Sequence, residues 1–303
     1  MYKVTSRWPH QDTVKIEWNL GKRCNYNCSY CPSSIHDTTS PHTNIEILKS
    51  TVDKLLTLNK PIRLSFTGGE PCVHPKFREL IQYAKFKGIP WISVTTNGTR
   101  SYEYYQSLPV NQYVFSIHFE HNWHRVTTTL RKLASSTKIG LIGQIMAHHS
   151  HMVNVRVVRH VLNTDGIPST VRRIRWTEGD HNVFDDLRYD SNDLQWILDQ
   201  ESTVQANTVV NIDKEQLLHA NDIIKLHLND FKDWSCYAGI ESLMINWDGE
   251  VHRATCRVGG SLGNIYTGTF TVPTDPIVCT RDWCTCAADI PLTKIKITEQ
   301  DNS

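Results

Sequence analysis

The sequence predicts an α/β fold, a parallel sheet covered by helices, followed by a small cysteine-rich C-terminal extension with a β-hairpin. Two observations predict it. From residue 14 to about residue 200, short β-branched runs alternate with longer amphipathic ones, the pattern of strands joined by helical crossovers. From Trp234 onward the texture changes to cysteines, glycines and short strand-like runs.

Taken in chain order, the strand candidates are Val14–Asn19, Ile62–Thr67, Trp91–Thr95, Tyr113–Phe119, Ile139–Met146 and Val171–Trp176. Asn44–Leu58 follows the first as a helix, with Ile45, Ile47, Leu48, Val52, Leu55 and Leu56 at helical spacing. Lys76–Lys87 follows the second and is opened by His74-Pro75, because proline suits a first helical turn. His124–Leu133, Met152–Leu162 and Ser191–Gln200 come next, the last with Ser191 and Asn192 as caps. Six such units make either an open doubly wound sheet or an incomplete barrel, and periodicity does not distinguish them. In both, function gathers at the carboxyl ends of the strands. Residues 1–202 read as this core and 203–232 as a connector with a weak helix near His219–Leu228. Residues 233–303 read as the extension, ending in a polar tail. Within it Leu243–Trp247 and Glu250–His252 flank Asp248-Gly249, a hairpin signal.

Bulk properties exclude several classes. Of 303 residues, 39% are hydrophobic and 21% charged, enough for a large core under a normally solvated surface. A formal net charge of +1 excludes a protein whose main task is neutralising nucleic-acid phosphates. No apolar run reaches the length of a membrane span. The N-terminal MYKVTSRWPHQDTVK has no apolar stretch of the kind a secretory signal needs, so a cytoplasmic address is expected. In that reducing compartment, clustered cysteines bind metal more often than one another. Of the nine, Cys24, Cys28 and Cys31 form one group, five lie between Cys236 and Cys286, and Cys72 stands apart as a core residue.

Cys24-Asn-Tyr-Asn-Cys28-Ser-Tyr-Cys31 sets three thiols at C-x3-C-x2-C spacing, close enough for one loop to wrap a soft-metal site. A four-iron cubane normally takes four thiolates, so three leave one iron open. Lys22 and Arg23 offset its negative charge. The other reading is a closed zinc site with His36 as fourth ligand.

C-x3-C-x-aromatic-C shortly after a first strand resembles the cluster-binding loop of the radical S-adenosylmethionine (SAM) superfamily. Phe66-Thr67-Gly68-Gly69-Glu70-Pro71 resembles that family's GGEP motif, Thr95-Thr96-Asn97-Gly98-Thr99 its third strand end, and Phe115-Ser116-Ile117-His118 its fourth. The resemblance implies a partial (β/α)6 barrel in which SAM binds the open iron of a [4Fe-4S] cluster through its methionine amino and carboxylate groups. It implies that Tyr30 packs near the adenine and that Gly68, Gly69 and Glu70 meet the methionine amino group. Asn97, Ser116 and Gln144 become further SAM contacts, Ser116 at the ribose.

The later cysteines, Cys236, Cys256, Cys279, Cys284 and Cys286, resemble the SPASM/twitch extension of that family. Five are too few for two auxiliary clusters, so the twitch form with one auxiliary [4Fe-4S] cluster is implied. Cys236, Cys256, Cys279 and Cys284 are the favoured ligands, with Cys286 the rival. Two departures stand: six residues separate Gly249 from Cys256, and the C-x4-C-x-C ending is not the usual C-x2-C. A four-cysteine zinc knuckle is the other reading. His148, His149 and His151 are assigned to a solvated loop. Arg172, Arg173, Arg175 and Glu178 read as surface charges, with a substrate pocket as the other reading.

The implied activity is reductive cleavage of SAM to a 5′-deoxyadenosyl radical that abstracts hydrogen from a small-molecule or peptide substrate, for a net oxidation or modification. A flavodoxin- or ferredoxin-like protein supplies one electron; no nucleic acid and no membrane takes part. About 13 residues precede the first strand, which points to a small molecule or to a peptide delivered by a separate partner. No catalytic side chain is assigned. The alternative is a non-catalytic iron–sulfur or zinc sensor or scaffold on the same fold.

Overall fold

The first two β-branched runs form strands at their expected bounds, Val14–Asn19 and Ile62–Thr67. Alternation dictates which side chains go inward: Val14, Ile16 and Trp18 are buried on the first, Ile62, Leu64 and Phe66 on the second. These observations come from a computed structural model that describes residues 3–6, 12–178, 181–184, 188–211 and 215–296. The chain divides into two units, Asn19–Lys49 with Ser65–Val204, and Met1–Trp18 with Ser50–Leu64 and Gln205–Ser303.

In the first of these units, residues 65–67 of the strand Ile62–Thr67, then Trp91–Thr96, Gln112–Ile117, Gly140–Ala147 and Ser169–Arg173 lie side by side in that order. The last four pair in parallel, in registers such as Phe115 with Gly143 and Ser116 with Gln144. Helices Phe77–Phe86, Tyr102–Gln106, Trp123–Ala134 and Met152–Thr164 occupy the crossovers. Phe77, Leu80, Ile81 and Ala84 repeat at helical spacing and are buried. Phe66 meets Phe77 edge-on at 5.5 Å. Each such large side chain contributes roughly 1.5–3 kcal/mol by leaving water. Cys72 is fully buried among them, as a small hydrophobe.

Three local expectations need correction. The sixth run does not stay one strand to Trp176: Ser169–Arg173 ends, and Arg175–Glu178 pairs instead with His181–Phe184 as a separate hairpin. The cause is at Ile174, whose amide donates to the Tyr189 hydroxyl (3.2 Å) rather than to a neighbouring strand; that hydroxyl donates to the Ala147 carbonyl (2.6 Å). The helix Ser191–Asp199 is capped by Asp190, which accepts from the Asp193 amide at 2.8 Å, not by Ser191 or Asn192. Pro75 lies before the cap of its helix, which starts at Phe77. Proline does open a turn at Pro71–Val73.

In the other unit, Ser261–Asn264, Glu250–His252, Ser242–Ile245 and Val14–Asn19 are neighbours in that order. Ser242–Ile245 and Glu250–His252 form the expected hairpin, with Met244 opposite His252. A separate six-stranded antiparallel sheet joins Glu215–Leu218, Thr208–Asn211, Lys3–Ser6, Lys294–Lys296, Trp234–Cys236 and Ile277–Val278. Residues 208–211 and 215–218 thus supply strands within the expected connector, and its helix is Ala220–Lys225. Val4, Val210, Ile223, Phe231 and Trp234 form the core, together with Cys236, Cys279 and Cys284. The polar tail from residue 297 lies outside the described residues.

Candidate functional site

The Cys24–Cys31 loop begins where the first strand ends, and backbone alone seats it against the Gly68-Gly69 turn. The Leu20 amide donates to the Thr67 carbonyl (2.9 Å), Gly69 to Gly21 (2.7 Å) and Glu70 to Arg23 (2.9 Å). Both glycines are required. Gly68 has φ +121°, and a Cβ on Gly69 would sit 2.3 Å from the Lys22 carbonyl oxygen and 2.4 Å from that of Arg23.

Glu70 is 3% exposed, and its carboxylate ties two strand ends together. One oxygen accepts from the Cys72 amide (2.9 Å) and the Thr96 hydroxyl (2.8 Å), the other from the Asn97 amide (2.6 Å). Burial raises its pKa against these bonds. Three of a carboxylate's roughly four acceptor positions are therefore taken inside the protein. Asn97 reaches the loop directly: its amide nitrogen donates to the Asn25 side-chain oxygen (2.8 Å) and stands 3.7 Å from the Cys24 sulfur. Ser116 is buried and sits opposite Gln144 in register, so these two candidates share a face. The Gln144 amide points at the Met146 sulfur, 3.6 Å away.

The far side of the loop rests on residues that motif reasoning missed. The Tyr30 hydroxyl and His118 Nδ1 are 2.6 Å apart, and the Cys28 sulfur is 3.6 Å from the same nitrogen. Glu120 accepts from both the amide (2.8 Å) and the hydroxyl (2.6 Å) of Ser29, between the cysteines. His148 Nε2 approaches Glu120 at 3.4 Å, and the Tyr26 ring stacks on His121 at 3.8 Å. His148 thus needs correction: it is 5% exposed, not on a solvated loop, because its Nδ1 caps a short turn by accepting from the Ser150 amide. His149 stacks on it at 4.5 Å, and both His149 and His151 are partly buried. The available signal was position, since His118, Glu120 and His148 all follow the carboxyl ends of strands. Arg172 and Arg173 are partly buried at a strand end; the Arg175 and Glu178 side chains lie outside the described residues.

Burial sets the chemistry of the loop. It pushes the Cys28 thiol up to about 12 and Cys31 to about 11, and raises Cys24. It lowers His118 to about 4, so that imidazole is neutral. His36, the candidate fourth zinc ligand, has its Nε2 2.6 Å from the Tyr26 carbonyl. Among the described residues, no group of three or more His, Cys, Asp or Glu converges tightly enough for a single metal ion. A zinc ion gathers its donors to about 2.0–2.3 Å from one point, whereas a cubane spreads its thiolates over separate irons. The three thiols share one loop, Cys28 buried and Cys24 and Cys31 partly buried, and burial raises all three, so binding a cluster would require metal to draw off their protons.

The second cysteine group lies wholly in the other unit. Cys236, Cys256, Cys279 and Cys284 line one solvent-open pocket with Asp289 and Lys294. Cys236 ends a strand paired with Ile277–Val278, and the Cys279 amide donates to Trp234 (2.9 Å). Cys284 is held through its amide by the Asn229 carbonyl (2.9 Å), while the Asn229 side chain donates back to the Cys284 carbonyl (3.1 Å). The Cys256 amide donates to Asp289 at 3.2 Å. Burial raises the Cys236, Cys256 and Cys284 thiols, Cys256 to about 11. Cys286 does not line the pocket; it is partly buried near Thr255, Glu17 and Asp289, its thiol pushed up to about 12. The structure therefore gathers four of the five candidates. Four thiols around one cavity fit a closed four-thiolate group.

Residues 18–131 match the radical SAM superfamily. Over 85 residues the chain is 34% identical to an Fe-coproporphyrin III synthase from Methanosarcina barkeri, covering 28% of this chain and 21% of that one. Over 84 residues it is 36% identical to the antilisterial bacteriocin subtilosin biosynthesis protein AlbA of Bacillus subtilis, covering 27% and 18%. The chain thus spans about a fifth of these two relatives. Among solved structures, anSMEcpe with bound AdoMet and the Kp18Cys peptide aligns at TM-score 0.57 and 16% identity, over 85% of this chain and 79% of that one. Streptococcus suis SuiB bound to S-adenosylmethionine aligns at TM-score 0.57 and 14% identity, over 84% and 63%. At such identities the likeness is one of fold.

Proposed function

From its place in the radical SAM superfamily, we propose that this chain is an enzyme that cleaves SAM reductively and abstracts hydrogen from a small-molecule or peptide substrate. The observation that carries the reading is the seating of a three-cysteine loop on the Gly68-Gly69 turn by backbone hydrogen bonds. A [4Fe-4S] cluster on Cys24, Cys28 and Cys31, with SAM on its open iron, would supply the electron transfer and the 5′-deoxyadenosyl radical. The chain's own residues do the rest. Gly68 and Gly69 let backbone approach the ligand, Glu70 fixes the second and third strand ends, and Asn97 reaches from the latter to the loop. Tyr30, Ser116 and Gln144 are the proposed adenosine contacts. The partly buried, neutral His118 orients the Tyr30 ring through the hydroxyl.

The four-cysteine pocket is proposed to hold one auxiliary [4Fe-4S] cluster, and residues 233–303 to form the domain that carries it. An external flavodoxin- or ferredoxin-like protein is the proposed electron donor. No helix among the described residues is long and apolar enough to cross a membrane.

The test is SAM cleavage. Purified and reconstituted without oxygen, then reduced, the protein should release 5′-deoxyadenosine and hold about eight irons, counting about four per cubane. Replacing Cys24, Cys28 and Cys31 together by alanine should abolish the product and leave about four irons. A fully loaded wild-type protein that releases no 5′-deoxyadenosine would instead be a non-catalytic iron–sulfur protein.

A further inference from the structure

The four-cysteine pocket contains a charge that none of the chemistry above uses. Lys294 is 1% exposed, although lysine is almost never fully buried without a partner. Its Nζ donates to the carbonyl oxygens of Asp289 (2.7 Å), Ile290 (3.0 Å) and Leu292 (3.1 Å), and lies 4.9 Å from the centre of the Phe231 ring. Its backbone pairs with that of Cys236 across two antiparallel strands, which sets the two side chains on one face. It lines the pocket with all four cysteines.

All three acceptors of this ammonium are neutral. Asp289, the acid in the same pocket, attracts the ammonium electrostatically, but its side-chain oxygens accept from the Cys256 amide (3.2 Å) and the Thr255 hydroxyl (3.4 Å) rather than from Lys294. A buried cation is costly unless an anion answers it. Four thiolates around an iron–sulfur core are net negative in both oxidation states, and one unit more negative once reduced. A fixed positive charge beside them favours the reduced state, because charge near a cluster is one of the terms that set its potential.

We propose that Lys294 is the buried counter-charge that sets the reduction potential of the auxiliary cluster, a role that rests on reading this pocket as the cluster site. The electron enters from the external one-electron donor. Lys294 is a tuning residue: it neither ligates metal nor touches substrate.

The experiment uses full-length protein with Cys24, Cys28 and Cys31 replaced by alanine, so that only the second site reports. Iron is counted first, then the cluster is titrated against potential and followed by electron paramagnetic resonance. Lys294→Arg keeps the charge and should titrate with the parent. Lys294→Gln keeps donors but not charge. At a fixed solution potential its ratio of reduced to oxidised cluster should fall at least about tenfold, or about 59 mV for one electron. Equal potentials in the Gln, Arg and parent proteins overturn the proposal. A Gln variant that folds, by circular dichroism, but holds no iron also overturns it and makes Lys294 an assembly residue. A parent with no iron overturns the auxiliary-cluster reading itself. Should Lys294→Gln not fold, Trp283 offers the same question from the pocket's rim, where it is 51% exposed. Trp283→Lys should raise the potential and Trp283→Glu lower it, and identical values in the two refute electrostatic control.

Discussion

The two cysteine sites are built on opposite plans. Cys24, Cys28 and Cys31 sit within eight consecutive residues, and the neighbours that hold their loop are backbone amides, Asn97, a neutral His118 and the carboxylate of Glu120. Cys236, Cys256 and the Cys279–Cys284 stretch come from three separate segments, gathered by strand pairing and by a buried acid and a buried lysine. The first offers three thiols and a glycine turn facing them; the second offers four thiols around a pocket. A three-thiol loop leaves a coordination position for chemistry, and a four-thiol cage closes it. On the proposed reading the same side chain serves two purposes, according to how many copies the fold brings together.

The largest effect that would sharpen this contrast is expected at Gly69. A methyl group there meets two backbone oxygens at 2.3 and 2.4 Å, and backbone cannot step aside as a flexible side chain can. Gly69→Ala should therefore remove most iron from the first site, leaving about four irons in the second. An iron count with 5′-deoxyadenosine release checks both halves. Full loading of both sites would show that the glycine contact does not seat the loop.

Next in size is the choice among the later cysteines. Cys284→Ser should cost about four of about eight irons, because Cys284 lines the pocket. Cys286→Ser should keep all of them, since that residue does not line the pocket. Retention in the first variant and loss in the second would reverse the ligand assignment.

A smaller effect is expected at Glu120. Its two bonds to Ser29 hold the loop from the fourth-strand side, and a hydrogen bond to a charged group contributes about 1.5–3 kcal/mol. Glu120 is partly exposed, with 22% of its side chain accessible, so the lower end applies. Glu120→Ala should speed loss of iron from the first site to a chelator by about tenfold, about 1.4 kcal/mol, and Glu120→Gln by less. Equal rates would place the clamp elsewhere.

How far each site was legible follows from the same contrast. The first loop is local, so spacing alone revealed it, and the strands that precede it and Gly68-Gly69 carry the alternation of Val14, Ile16, Trp18 and Ile62, Leu64, Phe66. His118, Glu120 and His148 escaped because each is distant in sequence from the loop, and a lone histidine or glutamate carries no spacing signal. The second site showed its cysteines, and the resemblance favoured Cys236, Cys256, Cys279 and Cys284 with Cys286 as rival, but spacing alone did not decide which four meet. That depends on Lys3–Ser6, Lys294–Lys296 and Trp234–Cys236 pairing across the chain, and strands of three or four residues are too short to display a period. The break at Ile174 was invisible for a related reason: its amide goes to Tyr189, fifteen residues on, while strand-forming residues recur to Trp176. The division between residues 202, 203, 232 and 233 followed texture along the chain, whereas the units draw on segments far apart in it.

The central claim is that the first site keeps an iron position open beside Gly68-Gly69. The most direct measurement is the electron paramagnetic resonance spectrum of the reduced protein carrying Cys236→Ser and Cys284→Ser, so that only the first cluster contributes, with and without SAM. The account predicts that SAM changes the spectrum, because the ligand occupies an iron that no side chain holds. An unchanged spectrum at saturating SAM would mean that a fourth ligand already closes the site.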